Sequence, residues 1–189
     1  DVTNDTNLDY VKSVINNRLS AGGGTNTAGG VRLSDNLFSQ GSANSAIRRI
    51  QNRYAVLLTD GEPTFGCNTN STNVNTIDKN KGDGMNVSWQ YTKDVETAAN
   101  TMVNSHKVDL FAISYGLNGS IPNGKNQTVS ITSWLQNDCY VGTRPADKGG
   151  ASDVFMAGDS EALNSAFDSI LTSIDHSGSE GEAVSDVIS

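Results

Sequence analysis

Tyr54-Ala-Val-Leu-Leu58 is the stretch that determines the fold. This apolar run follows Asn52-Arg53 and is followed by Thr59-Asp60-Gly61. A short, continuous apolar run between turn-forming residues is typical of a parallel strand that is buried on both faces. We therefore predict a fully buried strand over 54–58, with Asp60 at its carboxyl end.

Similar runs over 108–115 and 153–157 predict two more strands. Apolar residues at helical spacing predict four helices, over about 7–19, 27–38, 89–105 and 160–174. In the second of these helices, Val31, Leu33 and Leu37 are expected to face inward. Shorter helices are predicted over 42–51 and 131–135, and surface loops over 66–87 and 117–128. Helices that alternate with buried strands predict an α/β domain with a mostly parallel sheet.

The charge of the chain limits its partners. The 189 residues carry a formal net charge of −8, and no Lys/Arg run is longer than Arg48-Arg49. This balance argues against nucleic acid and against an anionic membrane surface, and it favours cations. No apolar run approaches the ~20 residues of a membrane-spanning helix. Because Asp1-Val-Thr-Asn is not an initiation sequence, we expect a mature or excised segment.

The two cysteines, Cys67 and Cys139, have a spacing that matches no metal motif. We favour a disulfide between them over two free thiols. Such a bond would close a loop of about 72 residues and stabilise the fold by about 4 kcal/mol in the chain-entropy model. Five N-x-S/T sequons also fit a secreted surface: Asn4, Asn70, Asn86, Asn118 and Asn126.

Two loops offer oxygen ligands, Gly22-Gly-Gly-Thr-Asn-Thr-Ala-Gly-Gly30 and Leu57-Leu-Thr-Asp-Gly-Glu-Pro63. A carboxylate at a strand end and a Thr hydroxyl at a helix start are both suitable ligands for a hard cation. Alone, T-D-G is most often a turn, and a Gly-rich loop is most often flexible or a helix cap. Together, in this order and spacing, the loops predict a divalent metal site that contains Thr25 and Asp60.

This pair of loops resembles the second and third loops of the metal-ion-dependent adhesion site in von Willebrand factor type A domains. The resemblance covers about residues 1–176 and implies a Rossmann-like, doubly wound sheet flanked by helices. It implies that Thr25 coordinates the metal directly or through water, and that Asp60 is the coordinating carboxylate. Asn26, Thr27 and Gly61 would shape the two loops. Mg²⁺ is the expected cation, with Mn²⁺ and Ca²⁺ as alternatives.

The first metal loop of that family, D-x-S-x-S at the end of its first strand, has no counterpart before Thr25, where only a helix is predicted. We therefore expect the first strand with its loop, the first helix and two more strands to lie elsewhere, on the same or another chain. Asp175-His-Ser-Gly-Ser179 spells the motif. We reject it because it follows a helix instead of a buried strand. A circularly permuted ligand set is the alternative.

The closing residues, 163–189, resemble the end of A domains in pilus-tip and other cell-wall-anchored adhesins of Gram-positive bacteria. Residues 177–189 would then be a linker and the start of a following module. The resemblance implies an extracellular adhesion module, in which a carboxylate of a host protein or glycan completes the metal shell. The alternative is a structural or assembly domain with no external ligand.

The remaining polar and aromatic residues suggest no further site. Glu62 is interpreted as a solvated loop residue and Asp83 as a chance placement in a Gly-rich loop. Trp89 and Trp134 are interpreted as partly buried packing residues, and both histidines as surface residues. No nucleophile elbow or base motif frames a Ser-His-Asp or Cys-His arrangement. We therefore expect no enzymatic activity, and an extracellular hydrolase is the least favoured function.

Overall fold

The computed structural model describes residues 9–10, 12–13, 16–17, 23–43, 53–67, 81–139 and 153–179. The helices are α1 (Thr27–Ala43), α2 (Trp89–Asn100), α3 (Ile131–Ser133) and α4 (Ser160–Ser179). α2 and α3 each continue into a π-helical segment, Thr101–Ser105 and Trp134–Asp138. The strands are β1 (Tyr54–Thr59), β2 (Phe65–Gly66), β3 (Lys81–Gly82), β4 (Asp109–Tyr115), β5 (Ser120–Gly124), β6 (Gln127–Ser130) and β7 (Val154–Ala157).

The three predicted strands form one parallel sheet in the order β1-β4-β7. β1 pairs with β4 from Tyr54↔Asp109 to Thr59↔Ser114, and β4 pairs with β7 up to Tyr115↔Ala157. Because the strands are parallel, the residues that follow them share one edge of the sheet. This is the carboxyl edge, and Asp60 lies there, as predicted.

Helices flank both faces of this sheet. Side chains alternate between the faces of a strand. Leu110 and Ala112 of β4 belong to the core that includes Val31 of α1 and Val95 of α2. Phe111 and Ile113 point to the other face and pack with residues of α4. The predicted α/β class with a parallel, helix-flanked sheet is therefore confirmed.

β1 is less buried than predicted. Val56 and Leu58 are 41% and 49% exposed, on the face that α4 covers over β4 and β7. Among the described residues, α4 does not cover Val56 and Leu58 of β1. The prediction that β1 is fully buried is therefore wrong for this face. Leu37 of α1, predicted to face inward, is 69% exposed and lines a hollow beside Tyr54 and Val56.

Two predicted loops contain short antiparallel pairs. β5 and β6 form a hairpin within and just beyond 117–128, and the turn between them places Asn126 at φ 63°. Asn tolerates this left-handed conformation better than most residues. β2 pairs with β3 and thereby joins the two ends of the predicted loop 66–87. The prediction of loops was wrong at these positions.

The strongly periodic helices are confirmed, with shifted ends. α1 and α4 run beyond their predicted bounds, and the last turn of the helix over 89–105 is π-helical. α4 continues to Ser179, so residues 177–179 are helical, and the rejected D-x-S-x-S run belongs to this helix. The described residues of the predicted helix 7–19 are helical. Residues 44–52 and 180–189 lie outside the described part. No helix in the described part has the length and apolar character needed to span a membrane.

Candidate metal site at the carboxyl edge

The two predicted metal loops are joined through their backbones. Thr25 forms an isolated parallel bridge with Pro63. The backbone N–H groups of Thr64 and Phe65 both donate to the Thr25 carbonyl at 3.0 Å. In return, the Thr25 N–H donates to Thr64 Oγ1 at 2.8 Å. The segment after Asp60 therefore binds both the N–H and the carbonyl group of Thr25.

Gly61 brings the Thr25 hydroxyl against the loop that carries Asp60. A Cβ atom added to Gly61 would overlap Thr25 Oγ1, so a side chain at this position would push the two loops apart. The Thr59 hydroxyl donates to the Gly61 carbonyl at 2.8 Å and closes the turn. Asp60 is exposed on this turn. The Thr25 hydroxyl and the Asp60 loop are therefore adjacent at the carboxyl edge of the sheet.

Asn26 and Thr27 shape the start of α1 in different ways. Asn26 Oδ1 accepts from the Gly29 N–H at 2.9 Å, which is the arrangement of a helix N-cap. Thr27 is buried, and its hydroxyl has no hydrogen-bond partner among the described residues. It lines a small cavity, together with Gly61 and the apolar side chains of Ile121 and Trp134. The loop-shaping role of both residues toward a metal stays a prediction.

The described residues supply only part of a metal shell. Asp60 and Thr25 offer one carboxylate and one hydroxyl, whereas Mg²⁺ takes about six oxygens, some of them water. Asp159 follows β7 at the same edge, but its Oδ1 accepts from the Ala162 N–H at 2.8 Å as a cap of α4. No three His, Cys, Asp or Glu side chains converge anywhere in the described ranges. Further oxygen ligands would have to come from elsewhere.

A third segment, the end of the predicted loop 66–87, lies against the Thr25 loop. A Cβ atom on Gly24 would overlap the backbone of Gly84, so the two glycines allow a close approach of two backbones. Asp83 organises the turn around Gly84: its carboxylate accepts from the N–H groups of Met85 at 2.9 Å and Asn86 at 2.8 Å. These bonds, with a third from the Asn86 side chain, lower the pKa of Asp83 to about 2.

The interpretation of Asp83 as a chance placement without a role was therefore wrong, because the exposed residue fixes a turn. The run Asp83-Gly-Met-Asn86 is a turn-forming pattern that could have revealed this. Asp94 of α2 anchors the neighbouring β2–β3 pair: it accepts from the Cys67 N–H at 3.1 Å and from Lys81 Nζ at 2.5 Å. The turn at 83–86 is thus attached to the body of the domain.

The predicted disulfide is absent from the structure. Cys67 and Cys139 are both buried and are not joined to each other. Cys67 Sγ lies 3.7 Å from Asn26 Oδ1, beside the metal loops. Burial, and then the charges of Glu96 and Asp138, raise the pKa of the Cys139 thiol. Both cysteines belong to the same hydrophobic core, and an even cysteine count could not reveal whether their sulfurs are bonded.

Two tryptophans and one histidine that the sequence analysis discussed also lie in the described part of the chain. Trp134 is buried, and its Nε1 donates to Glu96 Oε1 at 3.0 Å, which confirms a packing role. His106 was interpreted as a surface residue, but it is half-buried and its Nδ1 contacts the carboxylate of the buried Asp35 on α1. Trp89 is partly exposed at the start of α2.

Comparison of the chain with protein-family models, with curated proteins and with solved structures gave no match. A function for this site therefore has to be argued from its residues and their geometry.

Proposed function

We propose that this chain is the larger, C-terminal part of a von Willebrand A type domain and that Thr25 and Asp60 bind a divalent cation, Mg²⁺ before Mn²⁺ or Ca²⁺. The proposed function is metal-dependent adhesion by an extracellular bacterial surface protein, such as a pilus tip. The observation that carries this proposal is the contact of the Thr25 hydroxyl with Gly61, beside Asp60. Two loops that are distant in sequence thus present hard oxygen atoms at the edge where parallel sheets bind ligands.

The surroundings of β1 support the proposal that further elements of the domain pack here. Among the described strands, β1 has a hydrogen-bonded neighbour only on its β4 side. Hollows of about 280 and 400 Å³ lie along β1 and are lined also by Ser34 of α1. A strand at the free edge and a helix over Val56 and Leu58 would fill this space. The first strand and first helix of the proposed domain are elements of this kind.

The same added strand would complete the metal shell. A parallel strand beside β1 would end at the carboxyl edge, so a D-x-S-x-S loop after it would lie near Asp60 and Thr25. One carboxylate and two hydroxyls would then join the oxygens already present. A ligand carboxylate would occupy the remaining position, and its charge-assisted bond to the cation would anchor the ligand. The loops around the metal would determine which ligand is accepted.

Asp60→Ala tests adhesion against the alternative, a structural or assembly domain. The variant would be introduced into the natural surface protein and compared with Asp168→Ala, which removes an exposed carboxylate from α4. We expect Asp60→Ala to abolish Mg²⁺-dependent binding to host proteins while surface assembly stays intact. Loss of assembly in Asp60→Ala alone would favour the structural function. Metal-dependent turnover of ester, peptide or glycoside substrates would overturn both.

A further inference from the structure

The chain contains two Asn-Gly pairs, Asn118-Gly119 and Asn123-Gly124, close together in sequence. An Asn that precedes Gly is prone to spontaneous deamidation, in which the next backbone nitrogen attacks the side-chain amide. Gly favours this reaction because it has no Cβ atom to hinder the approach and because its backbone is conformationally free. The sequence gives both pairs the same reactivity, but the structure places them in different surroundings.

The first pair is accessible and unrestrained. Asn118 and Gly119 are both exposed in the connection between β4 and β5, and Gly119 has φ 116°. Among the described residues, neither the Asn118 side chain nor the Gly119 N–H group has a hydrogen-bond partner. The amide carbon and the backbone nitrogen can therefore approach each other without breaking a bond to the rest of the domain.

The second pair is held in place. Asn123 belongs to β5, is half-buried and has both ends of its side-chain amide occupied. Its Nδ2 donates to Asp138 Oδ2 at 2.9 Å, and its Oδ1 accepts from Lys93 Nζ at 2.7 Å. Both partners are charged groups, and hydrogen bonds to such groups are the stronger ones. The Asn123 amide would have to leave both partners before its carbon could be attacked.

We propose that Asn118 is a site of spontaneous deamidation and that the fold protects Asn123 from the same reaction. The Gly119 nitrogen forms a bond to Cγ of Asn118, and the Cγ–Nδ2 bond breaks. Nδ2 leaves as ammonia with the proton of the Gly119 N–H group, and a cyclic succinimide remains. Water then opens the ring at either carbonyl group, which yields aspartate or isoaspartate with no change in oxidation state.

The modification would alter the carboxyl edge of the sheet, and it does not depend on the proposed metal site. Leu117, the residue before Asn118, lines the small cavity that also contacts Gly61. A new carboxylate at position 118 would add a negative charge at this edge. Isoaspartate would also lengthen the backbone just before the Gly119 carbonyl, which accepts from the Ile131 N–H at 3.1 Å. The link from this loop to α3 would then be weakened.

The test incubates the natural protein in warm, mildly alkaline water enriched in heavy oxygen, which labels each new carboxylate. Both asparagines lie on the tryptic peptide between Lys107 and Lys125, so fragment-ion mass spectrometry assigns each product to its position. In the folded protein we expect Asn118 to react about tenfold faster than Asn123 or more, because opening a hydrogen bond to a charged group costs about this factor. In urea-unfolded protein the two rates should be similar.

Three variants test the protection directly. Asp138→Ala removes the acceptor of the Asn123 amide, so the rate at Asn123 should rise by about tenfold while that at Asn118 stays unchanged. Lys93→Met removes the other partner and should raise the same rate. Asp168→Ala, which removes an exposed carboxylate from α4, is the matched control and should change neither rate.

The outcomes that contradict the inference are distinct. It is overturned if Asn118 keeps its amide in the folded protein, or if both asparagines react at equal rates there. An N-linked glycan on Asn118, which its sequon allows, would block the reaction and overturn it as well. If Asn123 reacts as slowly in the unfolded protein as in the folded one, the protection by Lys93 and Asp138 is refuted.

Discussion

β4 and β1 are neighbouring strands with similar apolar sequences, yet their burial differs. The five residues in the middle of β4 are buried, whereas only Thr59 of β1 is. The partners Ile113 and Leu58 point to the same face of the sheet, but α4 covers only Ile113. The burial of a strand therefore depends on what packs over it as well as on its own sequence. The exposed apolar side chains of β1 form a surface that the further elements proposed above would cover.

The largest expected effect tests this contrast directly. We expect Ile113→Ala to lower the free energy of unfolding by about 2–5 kcal/mol, because it removes packed side-chain atoms and leaves a cavity. Leu58→Ala should cost about 1 kcal/mol or less, because the side chain is already half exposed and little apolar area is returned to water. Urea unfolding of the 189-residue chain measures both. Equal costs would mean that β1 is covered as well as β4 is.

The glycines after β1 and β7 offer a second contrast. Gly61→Ala would bring a methyl group onto the Thr25 hydroxyl, so we expect a loss of about 1–3 kcal/mol from overpacking, together with weaker Mg²⁺ binding. Gly158→Ala is the matched control, since an added Cβ there meets no atom within 4 Å. Thermal unfolding and calorimetry compare the two. If both variants lose the same stability and the same Mg²⁺ affinity, the contact between Gly61 and Thr25 does not stabilise the two loops.

Two buried threonines, one at the start of α1 and one in α2, form a third contrast. Thr92 Oγ1 lies 2.7 Å from the carbonyl oxygens of Trp89 and Pro122, whereas the Thr27 hydroxyl has no partner among the described residues. Thr92→Val should cost about 1–3 kcal/mol, because it leaves a buried carbonyl unsatisfied, and Thr27→Val should be neutral or stabilising by up to about 1 kcal/mol. Chemical denaturation measures both. A large loss in Thr27→Val would reveal a partner for its hydroxyl.

The smallest effect is local and depends on pH. The pKa of Asp83 is lowered from 3.8 to about 2 because its ionised form accepts hydrogen bonds from Asn86 and then from Met85. The depressed pKa means that the ionised group stabilises the turn above pH 3.8, and that this contribution disappears as the pH falls towards about 2. The Met85 and Asn86 amide resonances should therefore titrate with a midpoint near 2, and not at all in Asp83→Asn. A midpoint at the ordinary Asp value would contradict the turn geometry.

Much of the architecture could be predicted from the sequence because its signals are local and long. The apolar runs of β1, β4 and β7 and the periodicity of α4 each specify an element, and parallel strands place Asp60 at the carboxyl edge. The pairing of Thr25 with Pro63 was not predictable, although the order of the two loops indicated that they share a site. The resemblance supplied the expectation that they meet.

The wrong predictions depended on tertiary contacts. The β5–β6 hairpin has strands too short for a clear alternation, and only the turn at Asn126 marks it. The exposure of Leu37 and Leu58 depends on what packs over β1, which local periodicity cannot report. The disulfide was inferred from the number of cysteines, whereas the surroundings of Cys67 and Cys139 are set by the fold. The role of Asp83 follows from a local turn pattern, which was overlooked because it lies in a long polar segment.

The most direct test of the metal site is a calorimetric titration of Mg²⁺ into the natural protein that contains this chain, in three forms: unaltered, Asp60→Asn and Asp168→Asn. Both substitutions remove one exposed carboxylate charge, but only Asp60 lies next to the Thr25 loop. We expect saturable binding in the unaltered protein and in Asp168→Asn, and its loss in Asp60→Asn. Absence of Mg²⁺ binding in the unaltered protein, or equal binding in all three forms, would contradict a metal site at Thr25 and Asp60.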